Sequence, residues 1–467
     1  MTRLKRAILN AMTDRLKVLM SHAGFLLIIT LVVQILAVPL WAASDISIES
    51  PTNPLLNACC ENIDFEWGGH IKALGTVSWP HDESMYGLAG ADTYYDGNIE
   101  GRLKNRLFYK DLIYLEAHYE IILSGGNTRR KQNELEKLYP LFFSNSRLLT
   151  SSIEDDRRFM DLTHAIAEDE NHTLYHRLDR LSLTLTPGWG VISIGRQAVT
   201  WGNGLLFNPM DLFNPFSPTD IERDYKVGDD MISVRFPLAG MGDLQFLYVP
   251  MRDPLTGDVE KDQGSMAGKG HFAWGTTEFD LMVAKHYEDA VVGLGSAGYL
   301  RDAAWRLDVT YTFLEDDAAK EGFLAFVANM DYSWSWWRKN LYGFLEFYYT
   351  SLGSDDYGKA FADPDILERI DRGERFTLGY AYMGGNIQIE LHPLFNAYLT
   401  VIHNLKDPSG IIQPRAVWNM AQDFQITFGG SVYYGESGTE YGGFQIPDMP
   451  FLVKTSNNLF LWLSYYF

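Results

Sequence analysis

The sequence predicts an all-β fold, a transmembrane antiparallel β-barrel of about eighteen strands (roughly 16–20), with a helical insert in an extracellular loop. Three observations carry this. Long segments alternate apolar and polar residues with period two, the N-terminus is ordered like an export signal, and the last segment alternates up to Phe467.

Composition bounds the answer first. The chain has 467 residues, of which 46% are apolar and 14% aromatic. That is too much apolar surface for a disordered chain. Two cysteines cannot staple a chain this long. A net charge of −21 argues against nucleic acid, whose phosphates demand a basic face.

Arg3, Lys5, Arg6, Arg15 and Lys17 form a basic leader; Gly24 to Ala43 then carries no charge, and Ala42, Ala43 and Ser44 are small. Basic, apolar, small is the order of a cleaved secretory signal. Residues 1–43 are read as that signal, and 44–62 as a short periplasmic leader. Cys59 and Cys60 are adjacent, about 3.8 Å apart at Cα, closer than an ordinary disulfide span. No Cys-x-x-Cys-His phrase occurs, so covalent haem is not expected. No cofactor or metal is expected either.

From residue 63 onward the period is two. Ile63, Phe65, Trp67 and Ile71 alternate with Asp64, Glu66, His70 and Lys72. Leu115, Ala117, Tyr119 and Ile121 alternate with Glu116, His118 and Glu120. Trp305, Leu307, Val309 and Tyr311 alternate with Arg306, Asp308 and Thr310. Soluble strands run about 5–6 residues. Many of these run about 10–15, as a tilted strand crossing a bilayer requires.

The strand segments are 63–79, 96–109, 112–124, 172–186, 189–200, 230–237, 243–250, 268–275, 278–287, 290–299, 303–314, 322–333, 338–351, 374–391, 395–405, 411–419, 422–435 and 456–467. Their number is even, as a single-chain bacterial barrel requires. Two segments are irregular. Gly384-Gly385 interrupts 374–391 and reads as a kink. In 172–186, Leu174 and Leu178 are out of phase with Leu181, Leu183 and Leu185, which predicts a bulge. In the last strand Leu459, Leu461, Leu463, Tyr465 and Phe467 share a side. Closing on Phe467, it resembles the signal by which bacterial outer-membrane barrels engage their assembly machinery.

Short turns alternate with longer connections, the expected split between periplasmic turns and outer loops. Segment 125–171 reads as two short helices, with Leu135, Leu138 and Phe142 sharing one helical face and Phe159, Leu162 and Ile166 another. Ser152 with Asp155 fits the start of the second. Acidic residues crowd 154–170, 315–317 and 355–365. Segment 201–229 repeats a phrase, Phe207-Asn208-Pro209 and Phe213-Asn214-Pro215. Its prolines cannot sit in central strands, so an ordered loop folded against the inner wall is expected, narrowing the bore.

Gly195-Arg196-Gln197, then Trp201-Gly202, closes one strand before that loop. With Asn404-Leu405-Lys406-Asp407-Pro408-Ser409, the phrase resembles outer-membrane porins of the alginate-export type and related barrels. The resemblance covers about residues 170–230 and 395–467. It implies eighteen strands and passage of a polyanionic sugar along an arginine-rich lumen. The polar side here is mixed instead, which departs from that pattern.

By alternation Arg102, Lys104 and Arg106 face the lumen, with Glu116, Glu120, Arg235, Arg306, Glu346, Arg375 and Glu390. Arg196 shares the parity of Ile192 and Ile194, and a bulge at Gly195 would turn it inward. Opposed Arg and Glu rows across a wet pore filter by charge and size. No Gly-x-Ser-x-Gly phrase occurs, and His70, His118 and His176, on or near strands, have no Ser or Asp partner assignable from sequence, so no enzyme is expected. The reading is a bacterial outer-membrane channel for passive passage of small polar or anionic solutes, with membrane lipid and the assembly machinery as partners and homo-oligomerisation open. The alternatives are a surface polysaccharide-binding or export barrel, or the sheath of a porin–cytochrome conduit.

Overall fold

The computed structural model describes residues 62–90, 92–139, 155–219, 225–240, 242–254, 256–315, 320–361, 363–447 and 449–467. The signal 1–43, the leader with Cys59 and Cys60, Phe142, Ser152 and Glu154 lie outside the described residues.

The strands are β1 (Ile63–Trp79), β2 (Tyr94–Tyr109), β3 (Ile113–Gly126), β4 (Thr163–Glu168), β5 (His172–Leu185), β6 (Val191–Gln197), β7 (Asp229–Leu238), β8 (Gly242–Val249), β9 (Ser265–Trp274), β10 (Thr277–His286) and β11 (Asp289–Leu300). They continue as β12 (Ala303–Phe313), β13 (Gly322–Trp336), β14 (Lys339–Thr350), β15 (Ala381–His392), β16 (Phe395–Asn404), β17 (Gly410–Ala421), β18 (Phe424–Tyr434), β19 (Phe444–Gln445), β20 (Leu452–Val453) and β21 (Asn457–Tyr466). Nineteen share one sheet. β4 is an extra strand on β5, so eighteen form the ring: β1, β2, β3, β5 to β18 in order, then β21, which pairs back to β1. β19 and β20 form a separate outer hairpin.

The alternation sorts the two faces. Leu281, Val283, Leu294, Leu345 and Leu459 are exposed on the outside, where a bilayer covers them. Trp189, Trp274, Trp336 and Trp337 are exposed at the short-turn end, as in an interfacial girdle. Trp337 and Arg338 both take positive φ (48° and 60°) in the turn that joins β13 to β14, the twist a two-residue hairpin needs. This is an outer-membrane-type barrel.

The seam between β1 and β21 runs from His70–Tyr466 to Trp79–Asn457, and one close approach extends it to the chain end. Beyond β21 the Phe467 N–H donates to the Gly69 carbonyl at 3.1 Å, and Gly69 N–H donates to the Phe467 carbonyl at 2.9 Å. A Cβ on Gly69 would lie 2.1 Å from the Arg102 carbonyl oxygen and 2.7 Å from the Phe467 ring. Gly69→Val should therefore keep the end strands from zipping. The expected result is loss of the fast-migrating folded band in unheated SDS gels; a normal band with unchanged heat resistance would refute it.

All eighteen expected segments are found, most within two or three residues. Asp179 is the predicted bulge: His118 pairs with Arg180 and Tyr119 with Leu178, leaving Asp179 outside the ladder. Two expectations fail. Segment 374–380 lies outside the strand, because β15 starts at Ala381. The second helix of 125–171 is absent among the described residues: Asp155 lies in a turn and β4 occupies Thr163–Glu168. Its cause is geometric. β6 pairs only with Leu181–Leu185, so the outer half of β5 offers unpaired N–H and C=O groups, and β4 takes them. The first helix is present as Asn127–Leu138, with Leu135 buried but Leu138 exposed.

Outside the membrane the longer loops share a core. Met85, Leu135, Leu352, Tyr357, Ile366, Phe444 and Phe451 pack together, so four connections form a folded cap. Asp356 and Asp363, two members of the acidic clusters, cap the helices Tyr357–Ala360 and Pro364–Asp371.

Candidate functional site

The connection between β6 and β7 turns into the ring and is pinned to wall after wall. The Trp201 indole donates to Gln245 of β8 at 3.0 Å. Asn203 donates to Asp308 of β12 through its N–H (2.5 Å) and its amide (2.8 Å). The N–H groups of Leu205, Leu206 and Phe207 all donate to Glu346 of β14, at 2.6, 3.0 and 2.8 Å. Further on, the Thr219 carbonyl accepts from Gln413 of β17 at 3.2 Å, and Tyr225 reaches β1 and β2.

Local chemistry explains the path. Gly202 has φ +87°, and a Cβ on Gly204 would lie 1.8 Å from the Phe207 carbonyl oxygen, so the chain doubles back tightly there. Asn208 locks that turn by donating to the Trp201 carbonyl at 2.8 Å. The Phe207 ring stacks on Tyr348 at 4.5 Å. Phe213 and Met210 pack with Trp201 against Met231, Leu247, Val249 and Met282. Asn214, beside Pro215, holds positive φ (50°), a conformation Asn tolerates. Lys226 pairs with Asp211 at 2.5 Å and also donates to the Val199 carbonyl, which ties the two ends of the loop. Burial pushes the Asp211 carboxyl up to about 6, against the pull of Lys226.

Glu346 is therefore an anchor and not a group facing solute, since its side chain is 1% exposed and its oxygens are filled by the loop and by Asn329. Losing the acceptor of one buried and two half-buried donors costs up to about 1–3 kcal/mol for the buried one and less for the others. Glu346→Ala is expected to loosen the loop, seen as new proteinase cuts within 204–219 and noisier single-channel currents. A variant as resistant and as quiet as the parent would remove the anchoring role.

Opposite, β1, β2, β3 and β5 build a charged wall. Arg102 pairs with Glu120 and Asp179, both at 2.6 Å, and Arg177 donates to Glu120 at 2.5 Å. His70 meets Glu100 at 2.9 Å. Lys104 donates to the Tyr225 hydroxyl at 2.6 Å. The Tyr225 ring stacks on His70 at 5.6 Å, with the Arg102 guanidinium 4.3 Å and the Lys104 ammonium 4.2 Å from its centre. Beside it lies a cavity of about 270 Å³, lined among others by Lys72, Arg102, Glu120, Arg177, Tyr225 and Trp462. An outer vestibule of about 560 Å³, bounded by the helix Asn127–Leu138, meets it at Leu74 and Asn98.

The sequence-derived set divides. Arg102 and Glu120 line this cavity, and Lys104 adjoins it through Tyr225. Arg106 and Glu116 stand nearer the short-turn end, 3.4 Å apart. Arg235 pairs with Asp243 at 2.8 Å, Arg306 with Asp331 at 2.7 Å, and Glu390 accepts from Asn340 at 2.9 Å, all on other arcs of the wall. Besides Glu346, two assignments are corrected. Arg375 lies before β15 and is buried, its guanidinium spent on the carbonyls of Thr377, Leu378 and Gly379. Arg196 stays on the parity of Ile194 and is 1% exposed; it pairs with Asp230 at 2.9 Å and Asp155 at 2.7 Å. Gly195 does take positive φ (121°), yet the register runs through it unbroken. Burial pushes the Asp155 carboxyl up, but Arg196 and Arg158 outweigh it and hold it below the usual range. Tyr225 was missed: it sits in irregular chain, where no period marks which way a side chain points.

A closed ring of eighteen strands, a greasy exterior and a pinned internal loop define the class, an outer-membrane-type β-barrel with a constricted lumen. No protein-family model and no curated protein matches the chain. Solved structures similar to it include OccAB3 of Acinetobacter baumannii, at 9% identity over 86% of this chain and 99% of that one, TM-score 0.48. OccK5 (OpdH) of Pseudomonas aeruginosa is 8% identical over 87% and 98%, TM-score 0.49. OmpT, an outer membrane protein of Vibrio cholerae in trimer form, is 9% identical over 87% and 99%, TM-score 0.38.

Proposed function

We propose that this barrel is an outer-membrane channel through which small polar or anionic solutes diffuse. One observation carries the reading: the β6–β7 loop, pinned inside a closed ring, leaves a charged cavity of about 270 Å³ that joins a polar vestibule toward the outside. A pore narrowed this way selects by size and by charge. Every step is passage, so no reacting group is required, and the chain is read as a non-enzyme.

The finer alternatives fare less well. Passage of alginate would favour a row of unpaired arginines, whereas Arg102, Arg177 and Arg306 each face a carboxylate. A cytochrome sheath needs an empty bore, and Trp201, Asn203, Phe207 and Tyr225 of the β6–β7 loop project into it. The strand ending in Phe467 is proposed as the part that the assembly machinery engages. Planar-bilayer recording of the purified protein tests the main reading. Stepwise conductance supports it; a silent barrel that binds glycans would replace it with surface anchoring.

A further inference from the structure

Tyr225 occupies an unusual position. Its ring is stacked on His70 and lies within 5.4 Å of three cationic heads, those of Lys72, Arg102 and Lys104. Arg102 has Glu120 and Asp179 as counter-ions. Lys104 has none among the described residues, and its hydrogen-bond acceptor is the Tyr225 hydroxyl. The ring also borders the cavity through which solute would pass. An aromatic face attracts cations without cancelling their charge, and it excludes the water and anions that would otherwise solvate them.

We infer that Tyr225 is the specificity-determining residue of this channel: it covers the Lys104 ammonium and the Arg102 guanidinium, and so keeps the pore from preferring anions as strongly as its bare cations would. The inference rests on the channel reading above. Uncovered, Lys104 becomes a docking point for a small carboxylate, the anionic group that an ammonium without a counter-ion recognises. Tyr225 thus sets how much of the positive charge on β1 and β2 a passing solute feels. The hydroxyl and the ring have separable parts: the ring covers both cations, and the hydroxyl holds Lys104 alone.

Reversal potentials in a potassium chloride gradient, with Tyr225→Ala, Tyr225→Phe and Tyr225→Ala/Lys104→Gln beside the parent, test this. Folding of each is checked by migration in unheated SDS gels. Tyr225→Ala should raise the chloride-to-potassium permeability ratio at least about twofold, and millimolar propionate should then reduce chloride current where it does not in the parent. Tyr225→Phe should stay near the parent, and adding Lys104→Gln should return the ratio to the parent's value or below. A larger conductance in Tyr225→Ala with an unchanged or lower ratio would show a mere steric plug and overturn the assignment, leaving the channel intact. If Tyr225→Ala does not fold, a Tyr225→Phe ratio far from the parent's overturns it equally, because the ring would not be what covers the cations. A parent barrel that conducts nothing would instead sink the channel reading and this inference with it.

Discussion

Replacing residues 204–226 with a short Gly-Ser linker is expected to raise single-channel conductance roughly two- to fivefold, because conductance follows the narrowest cross-section of a pore. That segment holds Phe207, Asn208, Pro209, Phe213, Asn214, Pro215 and Tyr225, which between them touch the inner wall at β8, β14, β1 and β2 and narrow the lumen. The wall should survive the cut. Arg196, Asp230 and Asp155 lie outside the removed stretch and keep the tops of β6 and β7 together. The cut also has a charge consequence. Glu346 loses its three N–H donors and turns toward water as a bare carboxylate. The same cut removes Tyr225 and uncovers Lys104, so the two charge effects oppose each other and a wider pore, read as conductance, is the expectation. An unchanged conductance in a folded variant would mean that the loop does not set the bore.

The barrel was legible because a membrane strand must show one face to lipid and one to water, and that constraint writes a period of two into ten or more consecutive residues. Even the bulge at Asp179 left a trace, since it moved Leu174 and Leu178 out of phase with Leu181. Short apolar spacings carry less. Phe159, Leu162 and Ile166 are spaced as a helix face, yet Phe159 and Leu162 lie in irregular chain and Ile166 in β4, because neighbouring β5 had backbone groups to satisfy. That demand is tertiary and has no local signature. Arg375 misled for a related reason. An arginine just before an alternating run looks like its next polar member, while here its guanidinium collects three loop carbonyls. The site was half legible. Parity placed Arg102, Lys104 and Glu120 on the wet side. It could not say that Arg196 would be sealed under residues 155–160, nor that Tyr225 would come to rest on Lys104.

Neutralising Arg102, Lys104 and Arg106 to Gln should move the channel toward cations, by roughly fivefold or more in potassium-to-chloride permeability at low salt. The size follows from what each cation leaves behind. Arg102 lies between Glu120 and Asp179, so its loss strands two buried carboxylates beside the cavity, though Arg177 still serves Glu120 and Arg180 still serves Asp179. Arg106 releases Glu116, and more loosely Glu66 at 3.9 Å. Lys104 strands no acid, since its partner is Tyr225. Arg102→Gln alone should thus account for most of the shift and Lys104→Gln alone for little of it while Tyr225 stays in place. Breaking a buried ion pair costs about 3–5 kcal/mol, so the triple variant should also unfold in detergent at a lower temperature. Raising the salt to about 1 M shrinks the Debye length to about 3 Å, which should erase most of the selectivity change but not the loss of heat resistance. Should the reversal potential stay where it was in low salt, with the barrel folded, these side chains do not border the path that ions take.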